Sequence, residues 1–419
     1  MVVRESQQAD LLSPVRTGPT PAALVYCLCG IAGIVEGFGI QAGGMAAPGF
    51  AAEFHMMPAQ VGLIFLLTSF GLAAGSWVGG WLGDRIGAGR AMAAAIMLFG
   101  VADVGSAWSH SELMLAMARA LVGIGLGGAL PNLIKLLTVT GPPATAPRRV
   151  TLSITGIAVG SLIVGLTAFL ARRLDWRIMF HLGGWIPLLL GAIVWLLLRN
   201  TSQPPQPRDG SQYRGGERWR ALFGGQHLFV TLFFWLAFFV TAATSYVLIN
   251  WMPSFLARSG LDQRQVGLAM IGLAVGGAAG PILFAWLLRP GRTIQVVSFA
   301  YCGIVAGLIL VITAPVWPLY LAFTIGFTGF FTAGTQAVLF GIVGPFYPEA
   351  ARGTGVGSSI AVGRIGSGVG PALAGLMLTA GLSQHQVLAA AVPMLAMALA
   401  MLLVLLRNPP EALQISRED

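Results

Sequence analysis

The stretch "IAGIVEGFGIQAGG", Ile31 to Gly44, holds one ionisable residue, Glu36, and the nearest charged residues along the chain are Arg16 before it and Glu53 after it. An isolated carboxylate in a run of apolar and small residues has a different meaning in water and in lipid, so the solvent must be settled first. Of 419 residues, 56% are hydrophobic and 9% charged, against roughly a quarter charged in a soluble globular domain. Mean hydropathy is +0.79. Apolar runs of roughly 20 residues, the length a helix needs to cross a bilayer, recur along the whole chain. The fold class expected is therefore all-α and integral to a membrane.

Working outward from Glu36, the breaks in hydropathy place six spans at Leu24–Ala47, Pro58–Leu82, Ala91–Trp108, Glu112–Val139, Val150–Ala171 and Trp176–Leu198. Six more follow at His227–Leu256, Gln265–Leu288, Ile294–Ala314, Trp317–Pro345, Gly353–Leu378 and Val387–Leu406. The long polar interruption begins "RNTSQPPQPRDG" at Arg199 and divides the chain six plus six. The domain organisation is accordingly an N-terminus over 1–21, a first half over 22–198, a linker over 199–225, a second half over 226–406 and a C-terminus over 407–419. The polar N-terminus and the long first span do not fit a cleavable signal peptide. With both termini in the cytoplasm, sixteen of the 24 basic residues fall inside, five outside and three within spans. The positive-inside rule favours that orientation, in a cytoplasmic (inner) membrane.

Composition also excludes function classes. The net charge of +9 reflects topology and contact with anionic lipid, and the arginines are too scattered for a nucleic-acid stripe. Cys27, Cys29 and Cys302 lie in apolar spans without zinc spacing, and the five histidines are dispersed, so neither a metal nor another cofactor is expected. No phosphate-cradling loop is present, which leaves secondary transport rather than ATP-driven pumping or an enzyme.

Three local motifs sharpen this. "GWLGDRIGAGR", Gly80 to Arg90, falls between spans two and three and resembles the signature loop of the major facilitator superfamily. Its candidate latch residues are Gly80, Asp84, Arg85, Gly87 and Arg90; the usual basic pair after Gly87 is replaced by Ala88 and Gly89. "RALVGIGLGGALPN" puts Arg119 in span four ahead of glycines spaced for close helix packing. "YPEAARGTGVGSSIAVGR" puts Arg364 near mid-depth of span eleven. The superfamily resemblance implies twelve helices in two pseudo-symmetric six-helix halves, a cavity lined by spans one and four, and a monomeric carrier.

Intramembrane charges are functional by default because they are costly. Two readings of Glu36 and Arg119 follow: a pair that ties helices together, or a switch in which a substrate anion takes the arginine and leaves the glutamate to load a proton. Asp103, in the peripheral span three, reads as a structural hydrogen bond or a water pocket, and Lys135 as a side chain snorkelling to the interface. For a substrate's ring and its polar groups the candidates are Tyr246 and Asn250, four apart on span seven, and Gln336 and Phe340, four apart on span ten, with Gln41 and Asn132 besides. Ordinary helix packing is the competing reading for each.

The runs "EGFGIQAGGMAAP", "YVLINWMPSFL" and "GTGVGSSIAVGRIG" resemble the aromatic acid:proton symporters, most closely those taking up phenylpropionate and hydroxyphenylpropionate. The resemblance implies uptake of an aromatic monocarboxylate, such as 3-(hydroxyphenyl)propionate or hydroxybenzoate, together with protons. In that family span one carries an acid, Gly, any residue, then Asp; here Glu36 and Gly37 match and Gly39 stands where the second acid belongs. Proton coupling is thereby assigned to Glu36 with Arg119, and substrate binding to Arg364 and Arg119. The alternatives are proton-antiport efflux, disfavoured because span five lacks the Gly-Pro motif of antiporters, uptake of another small organic anion, and a transporter-like sensor.

Overall fold

The computed structural model describes residues 21–140, 146–171, 175–198, 223, 227–289, 291–347 and 349–407. Apart from Phe223, the expected linker lies outside these residues, as do most of both termini. The described residues form twelve helices, each long and apolar enough to cross a membrane. In chain order they are α1 (Ala22–Glu53), α2 (Pro58–Ile86), α3 (Ala88–Ala107), α4 (Glu112–Val139), α5 (Ala146–Leu170) and α6 (Trp176–Leu198). The second half contains α7 (His227–Arg258), α8 (Gln263–Leu287), α9 (Thr293–Ile312), α10 (Pro318–Val343), α11 (Glu349–Thr379) and α12 (Gln384–Arg407). Several helices outrun the apolar segments expected from sequence: α1 continues to Glu53, whose carboxylate accepts hydrogen bonds from Arg177 and Trp176 of α6. Between α2 and α3 the chain turns at Gly87, whose φ of 93° is a left-handed value that favours glycine.

Small residues decide how closely the helices pack. On α2, Gly71, Gly75 and Gly79 are each one turn apart, and a Cβ on any of them would collide with the α4 backbone at Ala120, Ile124 or Gly128. On α8, Gly272, Gly276 and Gly280 repeat the spacing against Ala322, Gly326 and Phe330 of α10. Without a hydrophobic driving force between helices in lipid, such close approach supplies the van der Waals contact that holds them together. The other pairings recur in the same way: α1 with α5 and α7 with α11, α3 with α6 and α9 with α12.

Between the halves, α2 packs on α11, α5 on α8 and α1 on α7. We call the end where α1 starts and α12 stops the near end, and the opposite one the far end. Among the described residues the hydrogen bonds that cross between halves are Ala59 N–H to Thr379 Oγ1 at 2.9 Å and Arg264 Nε–H to the Phe169 carbonyl at 3.1 Å, both at the far end. Gly44 on Ile249, Gly62 on Ala372 and Phe65 edge-on to Trp251, centroids 5.8 Å apart, join the halves toward that end too. Hydrogen bonds at the near end, such as Tyr26 to the Thr140 carbonyl and Trp235 to Ser358, stay within one half. The halves are thus joined by hydrogen bonds and close packing at the far end, whereas these near-end hydrogen bonds lie within one half.

Candidate functional site

Beside the Phe65–Trp251 contact lies a cavity lined among others by Gly43, Phe65, Ser69, Arg119, Tyr246 and Asn250. Both halves contribute to it. Trp251 is fully buried and its Nε1–H donates to the Pro371 carbonyl at 2.9 Å, so the indole is anchored to its own half while its face meets Phe65.

Arg119 enters this cavity under tight constraint. Its Nη1 donates to Asp103 Oδ1 at 2.7 Å, and both side chains are buried, at 4% and 0% exposure. The Phe180 ring of α6 lies under its Cζ, 5.0 Å from centroid. Nη2 is turned to α1, where a Cβ on Gly43 would come within 2.9 Å of it. The expected Glu36–Arg119 pair is therefore not formed: the arginine is bonded to α3 instead. The reason is depth, since Glu36 lies about two helical turns along α1 from Gly43, the residue that Arg119 reaches.

Glu36 is buried, and its Oε2 has no hydrogen-bond partner among the described residues. The cation near enough to interact with its charge is Arg364. Arg364 is half-buried at the middle of α11 and makes no ion pair among the described residues. Glu36 of the first half and Arg364 of the second, each near the middle of its helix, are thus close enough for their charges to interact.

The remaining sequence candidates divide. Tyr246 and Asn250 line the cavity. Gln336 is half-buried, and Phe340 is exposed on one side while packing edge-on to Phe238 of α7 at 5.3 Å. Asn132 does not reach the cavity: its Nδ2 donates to the carbonyls of Gly79 and Gly128, at 2.8 and 2.9 Å, and bridges α2 to α4. Its Oδ1 occupies the space a side chain at Gly83 would need, so packing claims it. Gln41 is buried outside the cavity lining, with Nε2 lacking a hydrogen-bond partner.

At the near end, Asp84 pairs with Lys135 at 2.5 Å. Lys135 thus reaches a carboxylate of its own half rather than simply extending into the interface. Arg85 stacks over Trp81 at 4.1 Å, and Gly80 faces open space while Gly79 and Gly83 make the close approach to α4. The hydrogen bond of Asp84 thus lies within the first half.

Sequence reasoning missed Asp103 as the partner of Arg119, and Phe65 and Trp251 as the far-end contact. The Asp103 signal was present. Asp103 and Arg119 flank the short turn between α3 and α4, so an antiparallel hairpin brings them side by side.

Residues 29–340 match the family described as Major Facilitator Superfamily. The 3-(3-hydroxy-phenyl)propionate transporter of Escherichia coli (strain K12) is 35% identical over 374 residues, covering 88% of this chain and 90% of that protein. The gallate transporter of Pseudomonas putida is 27% identical over 388 residues, covering 86% of each. Among solved structures, a bacterial homologue of the human lysosomal transporter Spinster, inward-facing and unoccupied, superposes with a TM-score of 0.72 at 17% identity, covering 94% of this chain and 99% of that one. A D-xylose-proton symporter gives a TM-score of 0.72 at 17% identity over 93% and 98%. With its twelve helices in two matching halves and relatives that are transporters rather than enzymes, the chain belongs to the major facilitator superfamily, as a secondary transporter closely related to carriers of aromatic acids.

Proposed function

We propose that this chain takes up an aromatic monocarboxylate, such as 3-(3-hydroxyphenyl)propionate or a hydroxybenzoate, in symport with protons. What supports the reading is that Glu36 and Arg364, one from each half and each near the middle of its helix, are close enough for their charges to interact. A transporter that must couple two halves to two ligands needs an anion-binding cation and a titratable acid within reach of both halves. Arg364 offers a planar fork suited to a carboxylate. Glu36, once the anion has taken up the arginine's charge, is left in a poorly solvated site where loading a proton is the cheapest compensation.

The near end is assigned to the cytoplasm on the distribution of basic residues, so the far end, where the halves are joined, faces outward. In the outward-open state the anion and proton enter past Phe65 and Trp251. Arg364 and Arg119 hold the carboxylate, Tyr246 and Phe340 flank the ring, and Asn250 and Gln336 are the hydrogen-bonding groups for ring hydroxyls, while Gln41, buried outside the cavity lining, is withdrawn from this set. Asn132 is withdrawn from this set because its amide is spent on the α2–α4 bridge. Rocking of the halves about the midplane then exposes the site inward, and Asp84 with its neighbours Gly80, Arg85, Gly87 and Arg90 is released from, or returned to, a near-end latch.

The test is uptake of labelled 3-(3-hydroxyphenyl)propionate into proteoliposomes, with benzoate and hydroxybenzoates as competitors, for the native chain and Glu36→Gln. Gradient-driven accumulation by the native chain, lost in the variant while counterflow persists, is the expected result. Equal accumulation by both proteins would move coupling away from Glu36, and absence of transport of any aromatic acid would end the substrate assignment.

A further inference from the structure

Among the described residues the buried charged side chains are Glu36, Asp103 and Arg119, and Arg364 is half-buried on α11 with its charge within reach of Glu36. Each belongs to a different helix: α1, α3, α4 and α11. With Glu36 ionised the four sum to zero; with Glu36 protonated they sum to one positive charge. A weakly solvated site resists an unmatched charge. That single positive charge is what one monocarboxylate neutralises.

The geometry gives Asp103 this balancing part. Arg119 is held by Nη1 with Nη2 turned to the cavity beside Gly43. Asp103 Oδ2 has no hydrogen-bond partner among the described residues and fills the space left by Gly183, so the carboxylate bonds a cation and ties nothing else. The charged side chain in contact with it is Arg119; its other neighbours are Gly183 of α6 and, through Arg119, the Phe180 ring. On α1 the space beside Gly39 is closed, because a Cβ there would come within 2.6 Å of the Phe99 ring, one turn from Asp103 on α3. The anionic partner of Arg119 therefore comes from α3.

We propose that Asp103 is a positioning residue that sets the coupling ratio: its fixed charge cancels Arg119, so the cavity accepts one monocarboxylate only together with one proton on Glu36. This rests on the reading of Glu36 above. The proton is bound at the Glu36 carboxylate on one side and released from it on the other, and the loaded carrier moves no net charge.

The experiment compares two driving forces in proteoliposomes with labelled 3-(3-hydroxyphenyl)propionate: a pH gradient with the membrane potential clamped at zero, and an imposed potential at equal pH. The native chain accumulates substrate on the pH gradient and none on the potential. Asp103→Asn leaves the site one positive charge without a proton, so KM falls by about tenfold or more. In that variant gradient-driven accumulation is lost, counterflow persists, and a potential positive inside drives uptake. Asp103→Asn with Arg119→Gln restores the zero sum, and dependence on the pH gradient returns at a KM above native.

Potential-driven accumulation by the native chain overturns the proposal, and needs no variant to be made. Asp103→Asn with native KM and native gradient dependence also overturns it, leaving Asp103 a tie between α3 and α4. Failure of the native chain to accumulate any aromatic acid on a pH gradient would instead defeat the underlying reading, and this inference with it.

Discussion

The two halves share one scaffold and fill it differently. The α2–α4 seam and the α8–α10 seam carry the same glycine spacing and the same direct backbone contact. Beside the first seam sits the buried Asp103–Arg119 pair. Beside the second sits a cluster of phenylalanines, in which Phe331 meets Phe284, Phe299, Phe327 and Phe330 with centroids 4.8 to 5.9 Å apart. Backbone approach is thus a property of the duplicated fold, while the contents of each half are free to diverge. Buried charge has gathered in the first half and a phenylalanine cluster in the second, with Arg364 the half-buried exception whose charge reaches Glu36.

The comparison can be broken most severely at the contents. Asp103→Ala strands a buried guanidinium and should cost about 3–5 kcal/mol of stability; Phe331→Ala opens a cavity and should cost a similar amount, about 3–5 kcal/mol. Thermal unfolding followed by size-exclusion chromatography in detergent would rank both against the native chain. The two should then part company on repair: Asp103→Leu combined with Arg119→Met is expected to recover most of the stability, without transport, whereas the Phe331 loss has no second-site counterpart of that kind.

A smaller effect tests the shared scaffold. Gly75→Ala and Gly276→Ala each push a methyl into a facing carbonyl, of Ile124 and Gly326 respectively. Each should cost about 1–3 kcal/mol, and by similar amounts in the two halves. A large inequality between them would mean that the seams are not equivalent. Smaller again is Tyr301→Phe, which removes a buried hydroxyl contact with Thr241 at 3.1 Å and should cost about 1 kcal/mol. Least of all is Asp84→Asn at the near end, where an exposed partner of Lys135 is lost; below about 1 kcal/mol is expected in stability.

Much of this was readable in the chain because lipid imposes long, uniform helices. The twelve spans followed from apolar length, and their ends moved by only a few residues when helices ran on past the bilayer. Motif residues were also legible as types: Arg119, Arg364 and Glu36 stood out because charge is rare in these segments. Partnership was not legible to the same degree. Glu36 and Arg119 were matched because both are intramembrane, but hydropathy carries no register between helices distant in sequence. Asn132 shows the same limit, since an amide that bridges backbone carbonyls and one that meets a ligand look alike until the neighbouring helix is placed. Only the α3–α4 hairpin, short enough for its arms to be counted from the turn, offered a route to Asp103.

The far-end closure has one more consequence. α2 on α11 and α5 on α8 are the same joint seen twice, because the second half repeats the first and exchanges the roles of its helices. Two identical subunits meet in this manner when they form an isologous dimer, each giving the patch that the other receives. Here a single chain forms that dimer with itself. A twofold relation leaves one rotation that parts both seams together, and a movement that opened one alone would have to bend helices locked by backbone contact within each half.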